Sequence, residues 1–114
     1  MTCGVDIVQI DRIIKSCQNP RFLSRCFTKE EQAYFASKAD PYPSIAANFA
    51  AKEAFSKALG TGIRNFNLAD IAVLRDEMGK PYFVFSERIT PPEMIDVSLS
   101  HDGGMAIAFV ILQK

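Results

Sequence analysis

The chain has 114 residues, of which 48% are hydrophobic and 23% are charged, with 13 basic and 13 acidic side chains. This length predicts one domain spanning 1–114, and the 9 Phe and 3 Tyr supply enough apolar surface to exclude a disordered chain. A net charge of zero excludes a global field for nucleic acid or an anionic membrane, so any charged partner must meet a local patch. A domain this small buries only about two-thirds of its unfolded surface, so a deep pocket built from one copy is not expected.

The cysteines and the apolar runs indicate the compartment. The longest apolar run, Met105–Leu112, is too short for a membrane-spanning helix, which needs about 20 residues. The N-terminus lacks the basic and apolar segments of a secretory signal. Cys3, Cys17 and Cys26 form no CxxC pair, which predicts reduced thiols instead of a disulfide framework or a zinc site. Together these features predict a cytoplasmic protein that does not act at a membrane.

The first half of the chain predicts a strand followed by helices. Residues 4–10 form a β-branched run suited to a strand. Helical patches over 12–38 are interrupted at Asn19-Pro20. A helix then begins at the capping box Thr28-Lys-Glu-Glu31 and ends near Ser37.

The second half predicts one long helix and two hairpins. The helix covers 44–59, follows Pro43 and stops at a Gly-Thr-Gly turn. Strands are predicted over Asp70–Arg75 and Pro81–Phe85, and over 96–101 and 105–112 with Asp102-Gly-Gly104 as their turn. Because helices and strands are segregated along the chain, we predict the α+β class, with an N-terminal strand, then helices, then antiparallel hairpins.

The neutral total conceals a basic segment. Five bases and no acid lie between residues 12 and 29, namely Arg12, Lys15, Arg21, Arg25 and Lys29. Two interpretations stay open, because such a run is either a solvated helix face or a docking face for an acidic partner.

Asp6 is a carboxylate inside an apolar strand. Strict alternation places it on the same face as Val8 and Ile10. A carboxylate among apolar neighbours is costly unless it is paired or binds a metal. Asp6 is therefore either a strand-end residue that bonds a loop, or a metal ligand or general base.

The long helix carries a second charged group. Glu53 and Lys57 are four residues apart and share a helix face, which fits an exposed ion pair. A buried or ligand-facing arrangement is the alternative, because Phe49 and Phe55 flank the pair and small residues allow close packing: Ala46, Ala47, Ala50 and Ala51. The turn Gly60-Thr61-Gly62 offers backbone N–H groups to a phosphate, but it is not a Walker loop.

Two carboxylates and a single histidine limit the possible chemistry. Asp6 and Glu53 together would suit Mg²⁺, which takes one or two carboxylates and completes its shell with water and phosphate oxygens. His101, the only histidine, is either a turn residue bonded to backbone or a group that contacts a nucleotide or handles a proton. No G-x-S-x-G nucleophile motif is present.

These segments together resemble the holo-acyl-carrier-protein synthases, the small 4'-phosphopantetheinyl transferases. The similarity is carried by Gly4-Val-Asp-Ile7, by Asn48-Phe-Ala-Ala-Lys-Glu-Ala-Phe-Ser-Lys57 with Ala58-Leu-Gly-Thr-Gly-Ile63, and by Gly79-Lys-Pro81 and Val97-Ser-Leu-Ser-His101. It covers nearly the whole chain, and the central Lys-Glu-Ala-x-x-Lys motif followed by Gly-Thr-Gly is its most specific part.

The resemblance implies the 4'-phosphopantetheinyl transferase fold and a Mg²⁺-dependent reaction of fatty acid biosynthesis. In that reaction the phosphopantetheine arm of the substrate coenzyme A passes to a serine of apo-acyl carrier protein, and adenosine 3',5'-bisphosphate leaves. Asp6 and Glu53 would hold the metal on the diphosphate, and Lys57 would contact the phosphates. Residues expected near coenzyme A are Lys52, Lys57, Gly60, Thr61, Gly62, Lys80, Pro81 and, at the nucleotide end, His101.

The resemblance also implies two kinds of protein contact. Arg12, Arg21, Phe22 and Arg25 match the region that docks the acidic carrier. Larger relatives are about two such units fused, with the site between the halves. A single-unit chain is therefore expected to be an obligate oligomer, a homotrimer with sites at subunit interfaces.

One departure from the family pattern concerns phosphate binding. Asn48 stands where many relatives have an arginine, and Lys38, Arg64 or Lys80 would have to supply the missing cation. Two further functions stay open from sequence: an inert coenzyme A or nucleotide-binding module of the same fold, and a structural oligomerisation domain.

Overall fold

A computed structural model of the chain describes residues 1–60 and 66–114, and its centre is one long helix packed on an antiparallel sheet. The described elements are β1 (Thr2–Gln9), α1 (Ile10–Ser16), α2 (Phe22–Cys26), α3 (Lys29–Ala36), α4 (Tyr42–Leu59), a 3-10 turn (Leu68–Asp70), β2 (Ile71–Arg75), β3 (Pro81–Phe85), β4 (Met94–Asp102) and β5 (Met105–Gln113). This order confirms the predicted α+β class.

The strands form two antiparallel sheets. One has the order β1-β5-β4, and the other is the β2-β3 hairpin. The turn between β4 and β5 is shorter than predicted, because Asp102 still pairs with Met105 and only Gly103 and Gly104 lie outside the ladder. Both glycines have positive φ, +56° and +78°, as a two-residue hairpin turn of type I′ requires.

β1 ends earlier than the sequence predicts. Ile10 belongs to α1, and its N–H donates to the carbonyl oxygen of Gly104 at 2.9 Å, so it does not share a strand face with Asp6. The predicted alternation is otherwise confirmed. Asp6 and Val8 are half-buried toward α4, whereas Val5 and Ile7 are 49% and 59% exposed on the other face of the sheet.

The N-terminal helical region is divided into three short helices. The break at Asn19-Pro20 is confirmed, but α2 was not predicted as a separate helix, because its five residues carry no capping signal. The capping box is confirmed: the N–H of Glu31 donates to Thr28 Oγ1 at 3.2 Å, and the N–H of Thr28 donates to Glu31 Oε1 at 3.1 Å.

α4 is two residues longer than predicted. It begins at Tyr42, and Pro43 lies within its first turn, where a missing N–H breaks no helical bond. It ends at Gly60, which caps the helix with a φ of +79°. The strand predicted from Asp70 begins at Ile71, since Asp70 closes the 3-10 turn.

Close contact between β1 and α4 depends on Gly4. A methyl group at position 4 would lie 2.0 Å from the carbonyl oxygen of Ala54, so only glycine fits there. The predicted small-residue face of α4 is confirmed, because its buried alanines (Ala46, Ala47, Ala50, Ala51, Ala54 and Ala58) are at most 4% exposed. This approach brings the inward side chains of β1 close to α4.

The core consists of two apolar clusters that share α4. The larger joins the C-terminal half of the helix to the strands, with the Phe55 ring packed at tilted angles against Phe66, Phe83 and Phe85. The smaller joins the N-terminal half of α4 to the short helices through Ile13, Phe27 and Phe35. Packing in both clusters fixes the position of α4, and the polar groups described below lie along this helix.

Candidate active site

Asp6 and Lys57 form an ion pair between β1 and α4. Lys57 Nζ donates to Asp6 Oδ1 at 3.1 Å and to the carbonyl oxygen of Val5 at 2.9 Å. The exposed fraction is 18% for the Asp6 side chain and 56% for the Lys57 side chain. Lys57 is thus held by the strand, and the Glu53–Lys57 ion pair considered from spacing is not formed.

Asp6 and Glu53 line one cavity of about 240 Å³, here called the acidic cavity, with Arg12, Phe22 and Phe49 also at its wall. Burial raises the pKa of Glu53, the charge of Asp6 raises it further, and Lys57 opposes both. A raised pKa means that the two carboxylates repel each other in a partly desolvated place. A cation bound between them would relieve that repulsion.

The donor set of the acidic cavity fits Mg²⁺ better than a metal that needs an all-protein cage. Within 1–60 and 66–114, no group of three or more His, Cys, Asp or Glu side chains is close enough to hold a metal. Two carboxylates are what Mg²⁺ uses when water and substrate phosphates fill the remaining positions.

His101 and Pro81 do not lie in the acidic cavity. They line a separate cavity of about 310 Å³, here called the cationic cavity, together with Lys38, Ser44 and Arg75. The α4 residues of the two cavities differ: Ser44 and Ala47 line the cationic one, and Phe49 and Glu53 line the acidic one. Since a helix turns about 100° per residue, these two pairs face different sides of α4.

The structure places Lys52 in the core, a position that the resemblance did not indicate. Its side chain is fully buried, and Nζ donates to Glu31 Oε1 (2.6 Å) and to the carbonyl oxygens of Cys26 (2.6 Å) and Leu68 (3.0 Å). Burial lowers the pKa of Lys52, and Glu31 opposes that shift. All three ammonium hydrogens are used inside the protein, so Lys52 has no donor left for a ligand.

Asn48, which stands where many relatives have an arginine, is also buried. Its Nδ2 donates to Glu31 Oε2 at 2.9 Å and to the carbonyl oxygen of Val73 at 3.0 Å. Its Oδ1 accepts from Arg75 Nη2 at 2.8 Å. Asn48 is fully buried, so it does not itself contact a ligand; it connects Glu31 to Arg75.

The remaining residues predicted to lie near coenzyme A are found at different places in the chain. Lys80 pairs with Asp96 at 2.9 Å, both side chains are more than half exposed, and this pair lies at a third cavity, between β3 and β4. Gly60 is the helix cap described above. Thr61, Gly62 and Arg64 lie outside the described residues.

The basic segment adjoins the acidic cavity. Arg12, Arg21 and Arg25 are exposed, and none of them forms an ion pair within the described part of the chain. Phe22 is half-buried, with its ring centroid 6.0 Å from that of Phe49. Because Arg12 also lines the acidic cavity, a partner held by these arginines would lie at its entrance.

Sequence reasoning missed Glu31 and Arg75 as members of the polar network between the cavities. Glu31 was interpreted only as a helix cap, and Arg75 only as the end of a strand. The cysteines are free thiols, as predicted. No helix in the described ranges has the length and apolar character that a membrane crossing requires.

Comparison with known proteins identifies the family. The model of the 4'-phosphopantetheinyl transferase superfamily matches residues 2–110. A holo-acyl-carrier-protein synthase of Clostridium botulinum is 46% identical, over 96% of this chain and 94% of its own length. A synthase of the same name from Clostridium perfringens is 42% identical, over 96% and 91%.

Solved structures agree with the sequence comparison. The synthase of Neisseria meningitidis superposes with a TM-score of 0.92 at 34% identity, covering 99% of this chain and 98% of that one. The Helicobacter pylori synthase, solved in complex with coenzyme A, gives a TM-score of 0.85 at 35% identity over 97% and 99% of the two chains. The chain therefore belongs to the holo-acyl-carrier-protein synthases of the 4'-phosphopantetheinyl transferase superfamily, as the resemblance of its motifs had indicated.

Proposed function

We propose that this protein transfers the 4'-phosphopantetheine arm of coenzyme A to a serine hydroxyl of an apo-acyl carrier protein. The serine oxygen forms a bond to the phosphorus that bears the pantetheine arm. The bond from that phosphorus to the nucleotide breaks, and adenosine 3',5'-bisphosphate leaves. The observation that carries the proposal is that Asp6 and Glu53 line one cavity, with Lys57 paired to Asp6, in a chain of this family.

The carboxylates and Lys57 have distinct roles in this reaction. Asp6 and Glu53 are the residues that would hold Mg²⁺, which supplies neutralising charge to the diphosphate when bound. Lys57 is held by Asp6 but keeps half of its side chain exposed, so its ammonium is available to a phosphate oxygen. The serine proton goes to Asp6 or to a water in the same cavity.

The nucleotide end of coenzyme A carries a further phosphate, which the two carboxylates of the acidic cavity would repel. The cationic cavity, with Lys38, Pro81 and His101, has the charge to bind that end. The two cavities face different sides of α4, so we propose that a complete site combines the acidic cavity of one copy with the cationic cavity of another.

A homotrimer would bring the copies together through the outer face of the sheet. This face carries two directly paired apolar couples, Val5 with Phe109 and Ile7 with Ile107, and all four side chains are at least 40% exposed. A contiguous apolar patch of this kind is typical of a protein interface. Closure of the sheets around a common axis would cover it.

The carrier protein is proposed to dock on the basic segment. Arg12, Arg21 and Arg25 supply positive charge for an acidic partner, and Phe22 supplies an apolar contact. Because Arg12 and Phe22 line the acidic cavity, a carrier docked on them would bring its serine to the metal side of coenzyme A. We place the reaction in fatty acid biosynthesis, in the cytoplasm.

The decisive experiment is mass spectrometry of an apo-acyl carrier protein incubated with this protein, coenzyme A and Mg²⁺. We expect the carrier to gain the mass of one phosphopantetheine. A carrier whose serine is replaced by alanine, and a reaction with a chelator, serve as controls. If the complete mixture leaves the carrier unmodified, the inert coenzyme A-binding module becomes the better description.

A further inference from the structure

Arg75 is a half-buried cation that the proposed chemistry does not yet use. It is the last residue of β2, and Nη2 donates to Asn48 Oδ1 at 2.8 Å. The centre of its guanidinium lies 5.2 Å from the centroid of the Tyr34 ring. Within 1–60 and 66–114 it forms no ion pair with a carboxylate, and burial lowers its pKa.

The network behind Arg75 has one positive charge in excess. It contains a single carboxylate, Glu31, and two cations, Lys52 and Arg75. Glu31 Oε1 accepts from Lys52 and from the N–H of Thr28, and Oε2 accepts from Asn48. Glu31 is therefore occupied by Lys52, and Asn48 separates it from Arg75. The uncompensated charge is at the end of the network that lines the cationic cavity.

The surroundings of Arg75 raise the positive potential further. Lys38 Nζ lies 4.9 Å from the centroid of the same Tyr34 ring, so two cations contact one aromatic side chain. Ser44, in the first turn of α4, adds the positive end of the helix dipole. No Asp or Glu is among the described residues that line this cavity. A bound anion would be attracted by both cations and would offset their mutual repulsion.

We propose that Arg75, oriented by Asn48, is a phosphate ligand and supplies the cation that position 48 lacks. The assignment rests on the proposed function, because the diphosphate of coenzyme A is allotted there to the acidic cavity. The phosphate left for the cationic cavity is the one on the ribose of the nucleotide. Of the cations first considered as substitutes, Lys80 is paired with Asp96, whereas Lys38 lies in the same cavity as Arg75.

Calorimetric binding of coenzyme A and of 3'-dephospho-coenzyme A, each with Mg²⁺, tests this assignment. The two probes differ only in the ribose phosphate. Loss of a charge-assisted hydrogen bond predicts that Arg75→Gln weakens coenzyme A binding about tenfold and leaves the dephospho form unchanged. Arg75→Lys keeps the charge without the fork geometry and should recover part of the loss. Arg88→Gln, an exposed arginine elsewhere, is the matched control and should bind both probes normally.

The outcomes separate the possible roles of Arg75. Equal weakening of both probes in Arg75→Gln, or no weakening at all, would overturn the assignment. If Arg75→Gln does not fold, Arg75→Lys decides, and it must lose affinity for coenzyme A selectively. Binding needs no carrier protein, so a selective loss together with an unmodified carrier would keep the phosphate site and reject the transferase function.

Discussion

The two cavities beside α4 are opposites in charge. The acidic cavity presents Asp6 and Glu53, and burial, together with the charge of Asp6, raises the pKa of Glu53. The cationic cavity presents Lys38, Arg75 and His101, with no described carboxylate at its wall. One side of the helix is therefore suited to a cation and the other to an anion.

The difference explains how a chain of 114 residues can serve a long, highly charged substrate. In the proposed function, each cavity binds one end of the ligand by charge. A substrate that carries both a metal-bound diphosphate and a separate phosphate needs both cavities. Because the two cavities face different sides of one helix, assembly of several copies would combine them in one site.

Removal of one carboxylate should have the largest effect. Asp6→Asn keeps the size of the side chain and removes a metal ligand, so transfer to the carrier should fall by more than about a hundredfold, since even indirect support of a metal is worth about ten- to a hundredfold. The pair with Lys57, whose ammonium-bearing side chain is 56% exposed, contributes no more than about 1 kcal/mol to the free energy of unfolding. Turnover and urea denaturation measure the two effects separately.

Asp96→Asn is the matched control for Asp6→Asn. It also removes one carboxylate from a lysine pair, but that pair with Lys80 is exposed and away from both carboxylates of the acidic cavity. We expect normal turnover. Turnover close to wild type in Asp6→Asn would remove Asp6 from the metal site.

Mixed oligomers should show whether the cavities of one site come from different copies. Asp6→Asn and the double variant Lys38→Ala/His101→Ala are each expected to be poorly active alone. When the two chains are co-expressed with different tags, random assembly leaves about a quarter of the interfacial sites with both cavities intact. Activity of the purified mixture should rise to about that fraction. Activity equal to the average of the parents would place each complete site within a single copy.

Charge reversal in the basic segment should affect only the carrier. Arg21→Glu and Arg25→Glu change exposed charges, so the KM for acyl carrier protein should rise about tenfold at low salt, with a smaller effect at high salt. The affinity for coenzyme A should not change. Arg88→Glu introduces the same reversal elsewhere and should leave both constants as they are. An equal loss for both substrates would reject the docking role.

The smallest expected effect is a pH-dependent gain in stability for Glu53→Gln. Because burial and Asp6 raise the pKa of Glu53 in the folded state, ionisation of this group costs folding free energy. The contribution of Glu53 to the free energy of unfolding is therefore fully present below the pKa that Glu53 has in the unfolded state. It is lost as the pH rises through the higher pKa that Glu53 has in the folded state.

The metal-free Glu53→Gln variant should thus melt higher at pH 7, by less than about 5 °C. The gain should vanish near pH 3.5, where the unfolded and folded forms of Glu53 are both largely protonated, as follows from an ordinary Glu pKa of about 4.3. Glu77→Gln, in the exposed turn between β2 and β3, serves as the control. A lower melting temperature at pH 7 would mean that Lys57 outweighs burial and Asp6.

Much of the acidic cavity was predictable from sequence, and most of the cationic cavity was not. Alternation along β1 places Asp6 on the inward face, and helical spacing puts Glu53 and Lys57 on one side of α4. These are local rules that need no knowledge of tertiary contacts. By contrast, the role of Gly4 could not be predicted from sequence. The constraint that places an added methyl group 2.0 Å from the Ala54 oxygen exists only once the strand and the helix pack.

The polar network of Glu31, Asn48 and Arg75 could not be predicted from local sequence rules, for the same reason. Asn48 lies 17 residues from Glu31 and 27 from Arg75, and only the packing of β2 and α3 against α4 brings them together. The burial of Lys52 was not predicted, because a lysine is normally exposed and nothing in its own helix indicates that it pairs with Glu31 in the core. The capping box and the place of the β4-β5 turn, which are local, were predicted, although Asp102 belongs to the strand and not to the turn.

The hydrogen bond between Asn48 and Arg75 couples the effects of substitutions at two sequence positions. An arginine at position 48 alone would bring a second guanidinium against that of Arg75, and the loss of Arg75 alone would leave the buried amide oxygen without a donor. The exchange Asn48→Arg with Arg75→Asn would keep one guanidinium and one amide in the same place. A cation at this edge of the helix is thus a property of two positions jointly, and a chain without arginine at 48 still has it.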